Sequence, residues 1–422
     1  MDNVTCPFCG LACDDLQIEV IEGSVCATDN ACGLSLDHYR RLAPVAGASP
    51  HIKGKAATID EAVKSAAGIL AKASLPLFDG FAADLSGARR IVQLADRCGA
   101  VIEHMNSTAK MRNLLSVQDA GWITTTLAEV KNRADLVVLL GTDAVSRFPR
   151  FFERLIWSQE SMFGLDSGAR QVVYVGAGLD DRAGHAPDGR PPEVIPCKVD
   201  EIGEGMGAMR SILAGQSLHA ESVAGVPVGQ WTSLLERLRS AKYAVIVWAA
   251  ADFAFEHAEL TVQTISALIK DLNLSNRVVG LPLGGSDGDF TSNGVLLWQT
   301  GFPFRCSFAT GAPVYDPYMN SSQRLLTSGE ADALLWVSAY NPARLPTKVS
   351  VPTIVLAPPG AVFESEPDVY IPVGTPGVDH AGHYTRTDKV VALPLRKLRE
   401  IGLPSVADVV ASIEAALDDG VA

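Results

Sequence analysis

Short apolar segments alternate with amphipathic helical segments from about residue 56 to the end of the chain. Segments such as ADLVVLLGTD and VPTIVLAPP contain the continuous apolar runs LVVLL and IVLA, which are typical of strands buried on both faces of a parallel sheet. Segments such as TIDEAVKSAAGILAKA carry apolar residues at helical spacing. The alternation predicts doubly wound α/β structure, and the number of strands, about nine or ten, predicts two sheets rather than one.

The composition is that of a globular chain. Of 422 residues, 47% are hydrophobic and 20% are charged, so we expect the chain to fold throughout. A net charge of −13 disfavours a nucleic-acid partner, because phosphate binding requires a positive surface. The longest apolar runs are shorter than the roughly 20 residues of a membrane span, and the start MDNVT lacks an export signal. We therefore predict a cytoplasmic protein without nucleic-acid or membrane partners.

The segment CPFCGLACDD carries cysteines at positions 6, 9 and 13, with Cys26 and Cys32 a little further on. Three close thiolates and a fourth from a distant turn can converge on one metal centre. The pattern favours an iron-sulfur cluster, while zinc or a metal-free remnant stay open. The remaining cysteines have no ligand at metal-binding spacing, and we interpret them as buried structural thiols: Cys98, Cys197 and Cys306.

Few other features indicate chemistry. The chain has no dinucleotide fingerprint, no phosphate loop with a Gly-Lys-Ser/Thr ending and no His-Glu-x-x-His helix. His380 and His383 are a close pair, which we interpret as loop residues at a surface or interface rather than as metal ligands. The aromatic segments RFPRFFERLIW, in a predicted helix over 147–159, and WQTGFPFRCSF fit core packing better than a partner interface. A further strand is predicted over 100–105.

Several motifs together resemble one family. CPFCGLACDD, NACGLS, NSTAKMRN, AEVKNRADLVVLLGTD, WQTGFPF and GEADALLWVSAYNPARLP are similar to segments of the B subunit of formylmethanofuran dehydrogenase, a molybdopterin oxidoreductase. The resemblance implies a small N-terminal cysteine module and two Rossmann-like doubly wound domains, as in formate dehydrogenase and DMSO reductase, without their C-terminal pterin-binding barrel. The implied bounds are 1–55 for the module, 56–112 with 278–422 for one α/β domain, and 113–277 for the other.

The resemblance also implies cofactors. By the family pattern, a [4Fe-4S] cluster or zinc would be held by four thiolates: Cys6, Cys9, Cys13 and Cys32. Redox-active members use a segment like NSTAKMRN to supply a cysteine ligand to tungsten or molybdenum, followed by a histidine. Those two positions are Met111 and Arg112 here.

These two substitutions remove the chemistry of the metal site. A neutral thioether is a poor ligand for a metal of high formal charge, and arginine does not shuttle protons near neutral pH. The loop at 178–190 adds Asp180 and Asp181 where the family handles a cofactor phosphate, and carboxylates repel phosphate. We therefore predict that the tungsten or molybdenum pterin is absent.

A non-redox relative of this family is the B subunit of the formyltransferase/hydrolase complex of methylotrophic bacteria. The resemblance then implies a non-catalytic scaffold in one-carbon metabolism, assembled with a transferase subunit, an amidohydrolase-like subunit and a small structural subunit. Two alternatives stay open: a working tungsten or molybdenum dehydrogenase subunit with an unusual ligand, and an iron-sulfur electron-transfer module.

Overall fold

The computed structural model describes residues 1–42 and 48–420. Eleven α-helices lie in these residues. Their bounds are α1 Gly33–Arg41, α2 Ile59–Leu70, α3 Leu85–Cys98, α4 Ser107–Ala120, α5 Leu127–Arg133, α6 Ile202–Leu213, α7 Val228–Ser240, α8 Ala258–Leu272, α9 Asp289–Thr300, α10 Ser322–Ser328 and α11 Val406–Asp418.

Twenty β-strands accompany the helices in the same described residues. Their bounds are β1 Gln17–Ile21, β2 Ser24–Asp29, β3 His51–Ile52, β4 Lys55–Ala56, β5 Pro76–Ala82, β6 Val101–Ile102, β7 Leu136–Leu140, β8 Gln171–Val175, β9 Glu193–Ile195, β10 Ser222–Val223, β11 Val226–Pro227, β12 Ala244–Ala249, β13 Val278–Leu283, β14 Cys306–Ser307, β15 Val314–Tyr315, β16 Ala333–Ser338, β17 Thr353–Ala357, β18 Val369–Pro372, β19 Gly382–Thr385 and β20 Ala392–Leu395.

The chain forms two compact units. Unit 1 combines Met1–Ser107 with Gly285–Ala422, and unit 2 is the inserted segment Thr108–Gly284. The changeovers thus lie at 107/108 and 284/285, against predicted bounds of 112/113 and 277/278. Residues 1–55, predicted as a separate module, belong to unit 1.

Unit 2 contains a five-stranded parallel sheet in the order β13-β12-β7-β8-β9. Every residue of β7, β12 and β13 is buried, because helices and loops cover both faces of a parallel sheet. Trp231 of α7 and Trp248 of β12 are fully buried members of its core. Continuous apolar runs in the sequence correspond to these covered strands.

Unit 1 contains a nine-stranded mixed sheet in the order β15-β14-β6-β5-β16-β17-β18-β3-β4. The five strands from β6 to β18 are parallel, and two-residue antiparallel strands extend both edges. The helix starts are capped as the sequence indicates: Thr58 and Glu61 form a capping box at α2, and the Asp84 carboxylate accepts from the Gly87 amide at 3.0 Å at α3. The prediction of a mixed α/β fold with parallel sheets is confirmed.

The N-terminal segment of unit 1 contains a β-hairpin. β1 and β2 pair antiparallel, and the turn between them is Glu22-Gly23, with φ of 50° and 77°. Two successive positive φ values are those of the tight turns that suit hairpins, and glycine adopts them without a Cβ clash. The chain then enters α1, which begins directly after Cys32.

Three local predictions were wrong. The helix predicted over 147–159 is reduced to one π-helical turn, Phe152–Ile156; Pro149 disfavours a helical conformation at the residue before it, which accounts for the later start but not for the early end. The strand predicted over 100–105 is the two-residue β6, whose partner β5 departs from regular strand geometry at Gly80 and Phe81. His383 lies in β19 rather than in a loop, since Gly382–Thr385 pairs with Ala392–Leu395.

No helix within residues 1–42 and 48–420 combines the length and the apolar character that crossing a membrane requires.

Candidate functional site

The N-terminal cysteines lie in a closed turn ahead of β1. Cys6, Cys9 and Cys13 are buried. The amide of Cys6 donates to the carbonyl of Cys13 at 2.8 Å, and the amide of Ala12 donates to the carbonyl of Cys9 at 3.0 Å. Cys32 stands at the start of α1, where Ser35 donates to its carbonyl. The Cys32 thiol lies near enough to the Cys6 thiol to raise its pKa.

Burial and mutual repulsion raise the pKa values of the thiols in this cluster. Burial raises the pKa of the Cys6 thiol well above its usual value, and nearby thiolates at Cys9, Cys13 and Cys32 raise it further. Burial, reinforced by Cys13, raises the pKa of Cys9 to about 12. Mutual repulsion among buried thiolates is relieved by a bound cation, and an all-cysteine donor set suits an iron-sulfur cluster or zinc. The residues present therefore fit such a group.

The surroundings of the cluster are aromatic. Phe8 stacks on the His38 ring at 4.6 Å between centroids and meets Tyr39 edge-on at 5.0 Å. Burial, then Cys6 and Cys32, raise the pKa of Tyr39 well above its usual value. Cys26, which the resemblance leaves out of the ligand set, is exposed on β2. Across residues 1–42 and 48–420, no three His, Cys, Asp or Glu side chains stand already grouped as ligands of one metal ion.

Met111 and Arg112, the two positions that the resemblance assigns to the cysteine and histidine of redox-active members, lie on α4. Met111 is buried. The Arg112 guanidinium donates to the carbonyl of Ala250, just after β12, at 2.5 Å. Burial lowers the pKa of Arg112, and Glu259 opposes that shift. A thioether and a guanidinium supply neither an anionic ligand nor a proton shuttle, so these residues do not fit a tungsten or molybdenum centre.

His104, the nearest upstream histidine, is held within unit 1. Its Nδ1 accepts from the amide of Asn106 at 3.0 Å, which places the proton on Nε2, 3.4 Å from the carbonyl of Asp287. The ring also stacks on Phe304 at 5.0 Å. Both ring nitrogens of His104 thus have partners in unit 1.

The acidic loop over 178–190 follows β8 at the carboxyl end of the unit 2 sheet. Asp180 accepts from the Arg182 side chain at 2.8 Å, and this hydrogen bond holds the pKa of Asp180 at about 2. Arg182 therefore compensates the charge of Asp180, and the predicted repulsion of a phosphate depends on Asp181.

The remaining candidate residues are two histidines, three cysteines and an aromatic segment. His380 Nδ1 lies 2.8 Å from the carbonyl of Ala381, and His383 is exposed. The other cysteines are weak nucleophiles, because burial raises their pKa values to about 11, 12 and 11: Cys98, Cys197 and Cys306. In RFPRFFERLIW, Phe148, Phe151 and Phe152 are buried, which confirms core packing for that segment.

Unit 1 contains a buried charged cluster that the sequence patterns did not predict. Glu103, which follows β6, receives a hydrogen bond from Arg305 at 2.9 Å. Burial raises the pKa of Glu103 to about 7, against the opposing effect of Arg305. Asp79 of β5 is also buried, and its charge raises the pKa of Glu103 further. The signal was available, since an aspartate interrupts the otherwise apolar strand PLFDGFA.

The sequence of this chain is similar to those of known proteins. The chain is 30% identical over 412 residues to the B subunit of the tungsten-containing formylmethanofuran dehydrogenase 2 of Methanocaldococcus jannaschii, covering 94% of this chain and 93% of the relative. It is 27% identical over 347 residues to the B subunit of the formyltransferase/hydrolase complex Fhc of Methylorubrum extorquens, covering 78% and 86%. No protein-family profile matches the chain.

Two solved structures have a fold similar to that of this chain. A chain in the crystal structure of the complex FhcABCD from Methylorubrum extorquens with methylofuran matches at a TM-score of 0.74 and 25% identity, covering 89% of this chain and 100% of that one. Acetylene hydratase from Pelobacter acetylenicus matches at a TM-score of 0.68 and 11% identity, covering 99% of this chain and 69% of that one, and this likeness concerns the fold alone.

The fold is therefore a mixed α/β fold with parallel sheets, similar to that of a chain in the FhcABCD complex and to that of acetylene hydratase. Within that class, the chain belongs to the family of formylmethanofuran dehydrogenase B subunits.

Proposed function

We propose that this chain is a non-catalytic structural subunit of a formyltransferase/hydrolase complex. In such a complex, other subunits transfer formyl from formyl-tetrahydromethanopterin to a methanofuran-type carrier and release formate. We infer that these partners are a transferase subunit, an amidohydrolase-like zinc hydrolase subunit and a small structural subunit. The observation that carries the proposal is the Met111-Arg112 pair on α4, where the redox-active pattern requires cysteine and histidine.

Overall identity alone does not decide between the two kinds of relative. The tungsten-containing relative from Methanocaldococcus jannaschii is 30% identical, and the relative from the Fhc complex is 27% identical. The first value favours a second candidate function, a redox-active dehydrogenase subunit. That candidate needs a thiolate near α4, yet the sequence has no cysteine between Cys98 and Cys197. The residue at the reacting position is a stronger criterion than whole-chain identity, because function depends on the site and not on the fold.

The cysteine module keeps a role in the proposed complex. Four thiolates would hold an iron-sulfur cluster or zinc: Cys6, Cys9, Cys13 and Cys32. A bound cluster supplies one-electron transfer, and either group cross-links its module. With no redox centre for electrons to reach, the cross-linking role is the one that remains. An electron-transfer module is the alternative, and it would require an electron acceptor in a partner subunit.

Exposed apolar side chains support an assembled state. Trp298 of α9 is 68% exposed and Tyr318 is 67% exposed, although large aromatic side chains are normally buried in a monomer. The Arg89 guanidinium lies 5.7 Å from the centre of the Trp298 ring. Aromatic and arginine side chains are enriched in protein interfaces, so we infer that the surface around Trp298 and Arg89 contacts a partner subunit.

The double variant Met111→Ala, Arg112→Gln tests the non-catalytic role. In the assembled complex we expect formyl transfer and formate release to stay within about twofold of the unmodified rates, because neither side chain contacts a reacting group. The loss of the hydrogen bond from Arg112 to Ala250 costs about 1 kcal/mol of stability, so rates are measured per assembled complex. A loss of about tenfold or more, with assembly intact, contradicts the proposal.

A further inference from the structure

A cleft of about 700 Å³ opens on one face of the unit 1 sheet. Its floor is formed by Asp79 of β5 and Trp336 of β16, which are direct partners in the parallel pairing. One wall is α10, and the other is the segment 345–350. The volume lies within the range of about 300–1,000 Å³ that is typical of sites for small organic molecules.

Within residues 1–42 and 48–420, no cationic side chain forms an ion pair with the carboxylate on this floor, although Arg305 is near enough to lower its pKa. Asp79 is 7% exposed, and it accepts hydrogen bonds from the Gly80 amide, at 2.6 Å, and from the Ser322 hydroxyl. Both donors are neutral. The neighbouring Arg305 instead donates to Glu103, so two buried carboxyl groups share one guanidinium. A buried charge of this kind requires a partner or a proton, and burial raises the pKa of Asp79 accordingly.

The backbone beside Asp79 is strained. Gly80 and Phe81 both have positive φ, 75° and 48°, and the pairing register with β16 shifts there. A Cβ at position 80 would lie 2.5 Å from the carbonyl oxygen of Val337, so only glycine fits. Strand irregularities of this kind re-aim side chains and occur next to functional sites. Here the irregularity immediately follows Asp79.

We propose that this cleft binds a small organic cation, with a primary ammonium or guanidinium group on the Asp79 carboxylate and the apolar part against the half-buried Trp336. An ammonium supplies the positive charge that the cluster lacks, and an indole ring offers a face to an organic group. Lys348 lines the same cleft and is exposed, so a second positive charge on the ligand is disfavoured. The ligand class is therefore a monocation rather than a polyamine.

Ligand-observed ¹⁹F NMR on the full chain tests this site, with 4-fluorobenzylammonium as the probe and 4-fluorobenzyl alcohol as its neutral match. We expect saturable line broadening for the ammonium and none for the alcohol. Asp79→Asn should weaken binding of the ammonium probe by at least about tenfold, since the substitution removes one negative charge and keeps the shape of the side chain. Lys348→Gln should leave binding equal or tighter, and the exposed Glu221→Gln in unit 2 is the control for general loss of negative charge.

A second variant covers the case in which Asp79→Asn fails to fold. Ser350→Trp changes an exposed residue on the wall and fills the cleft without touching the sheet, so we expect it to abolish broadening. Equal broadening by the ammonium and the alcohol, no broadening by the ammonium, or unchanged broadening in Asp79→Asn or Ser350→Trp would each overturn the proposal.

Discussion

Cys9→Ser is expected to release the metal of the N-terminal module and to lower the free energy of unfolding of unit 1 by more than about 4 kcal/mol. Cys9 is buried beside other thiols, and the free energy of binding a structural metal is part of the folding free energy. In a metal-free module the same change swaps a thiol for a hydroxyl, which costs about 1–3 kcal/mol. Iron and zinc content and chemical denaturation, measured on one sample, separate these cases.

The matched control for this prediction is Cys26→Ser. Cys26 belongs to the same segment but is exposed on β2, so its replacement should retain the metal and change stability by no more than about 0.5 kcal/mol. Metal affinity should also fall as the pH falls, because binding requires the buried thiols to lose their protons. Equal metal content in the two variants would show that the cysteines hold no group.

Arg399→Leu is the second substitution with a large expected effect. The Arg399 guanidinium donates to Asp379 at 2.6 Å and to the carbonyl of Gly23, in the turn of the cysteine hairpin, at 2.9 Å. Both members of the ion pair are buried, with side chains 4% and 2% exposed. Removing the arginine leaves Asp379 buried and without its cation, so we expect a loss of about 3–5 kcal/mol in denaturant unfolding.

Two further variants identify the cause of that loss. Arg396→Leu removes a nearby exposed arginine that donates only to the carbonyl of Asp2, at 3.2 Å, and should cost about 0.5 kcal/mol or less. Asp379→Asn combined with Arg399→Leu removes both charges and should recover part of the stability, since no unpaired charge remains. If Arg399→Leu is as stable as Arg396→Leu, the buried ion pair of Arg399 and Asp379 does not stabilise the fold.

The sequence predicted the parts of the fold that depend on continuous burial. β7 and β12 are apolar throughout because both faces of their sheet are covered, and this pattern is visible without tertiary contacts. The edge strands β14 and β15 have two residues each, which is too short to show any periodicity. Their pairing depends on residues brought together from distant parts of the chain.

The sequence also predicted some residues of the candidate site and missed others. The cysteine spacing was informative because three ligands lie within eight positions of one another. The cluster of Asp79, Glu103 and Arg305 was missed because Glu103 and Arg305 are 202 positions apart, and no local pattern links them. Asp180 was interpreted as a repulsive charge, whereas Arg182 two positions later compensates it. Local spacing therefore indicated the ligands, and the structure was needed to show which charges are paired.

We propose that this chain has lost the redox site of its family. Elemental analysis of the complex, purified under anaerobic conditions, measures tungsten and molybdenum per copy of this subunit. We expect neither metal in stoichiometric amount, because Met111 and Arg112 supply no anionic ligand. Stoichiometric tungsten or molybdenum would contradict the account and would identify the chain as a redox-active subunit with an unusual ligand.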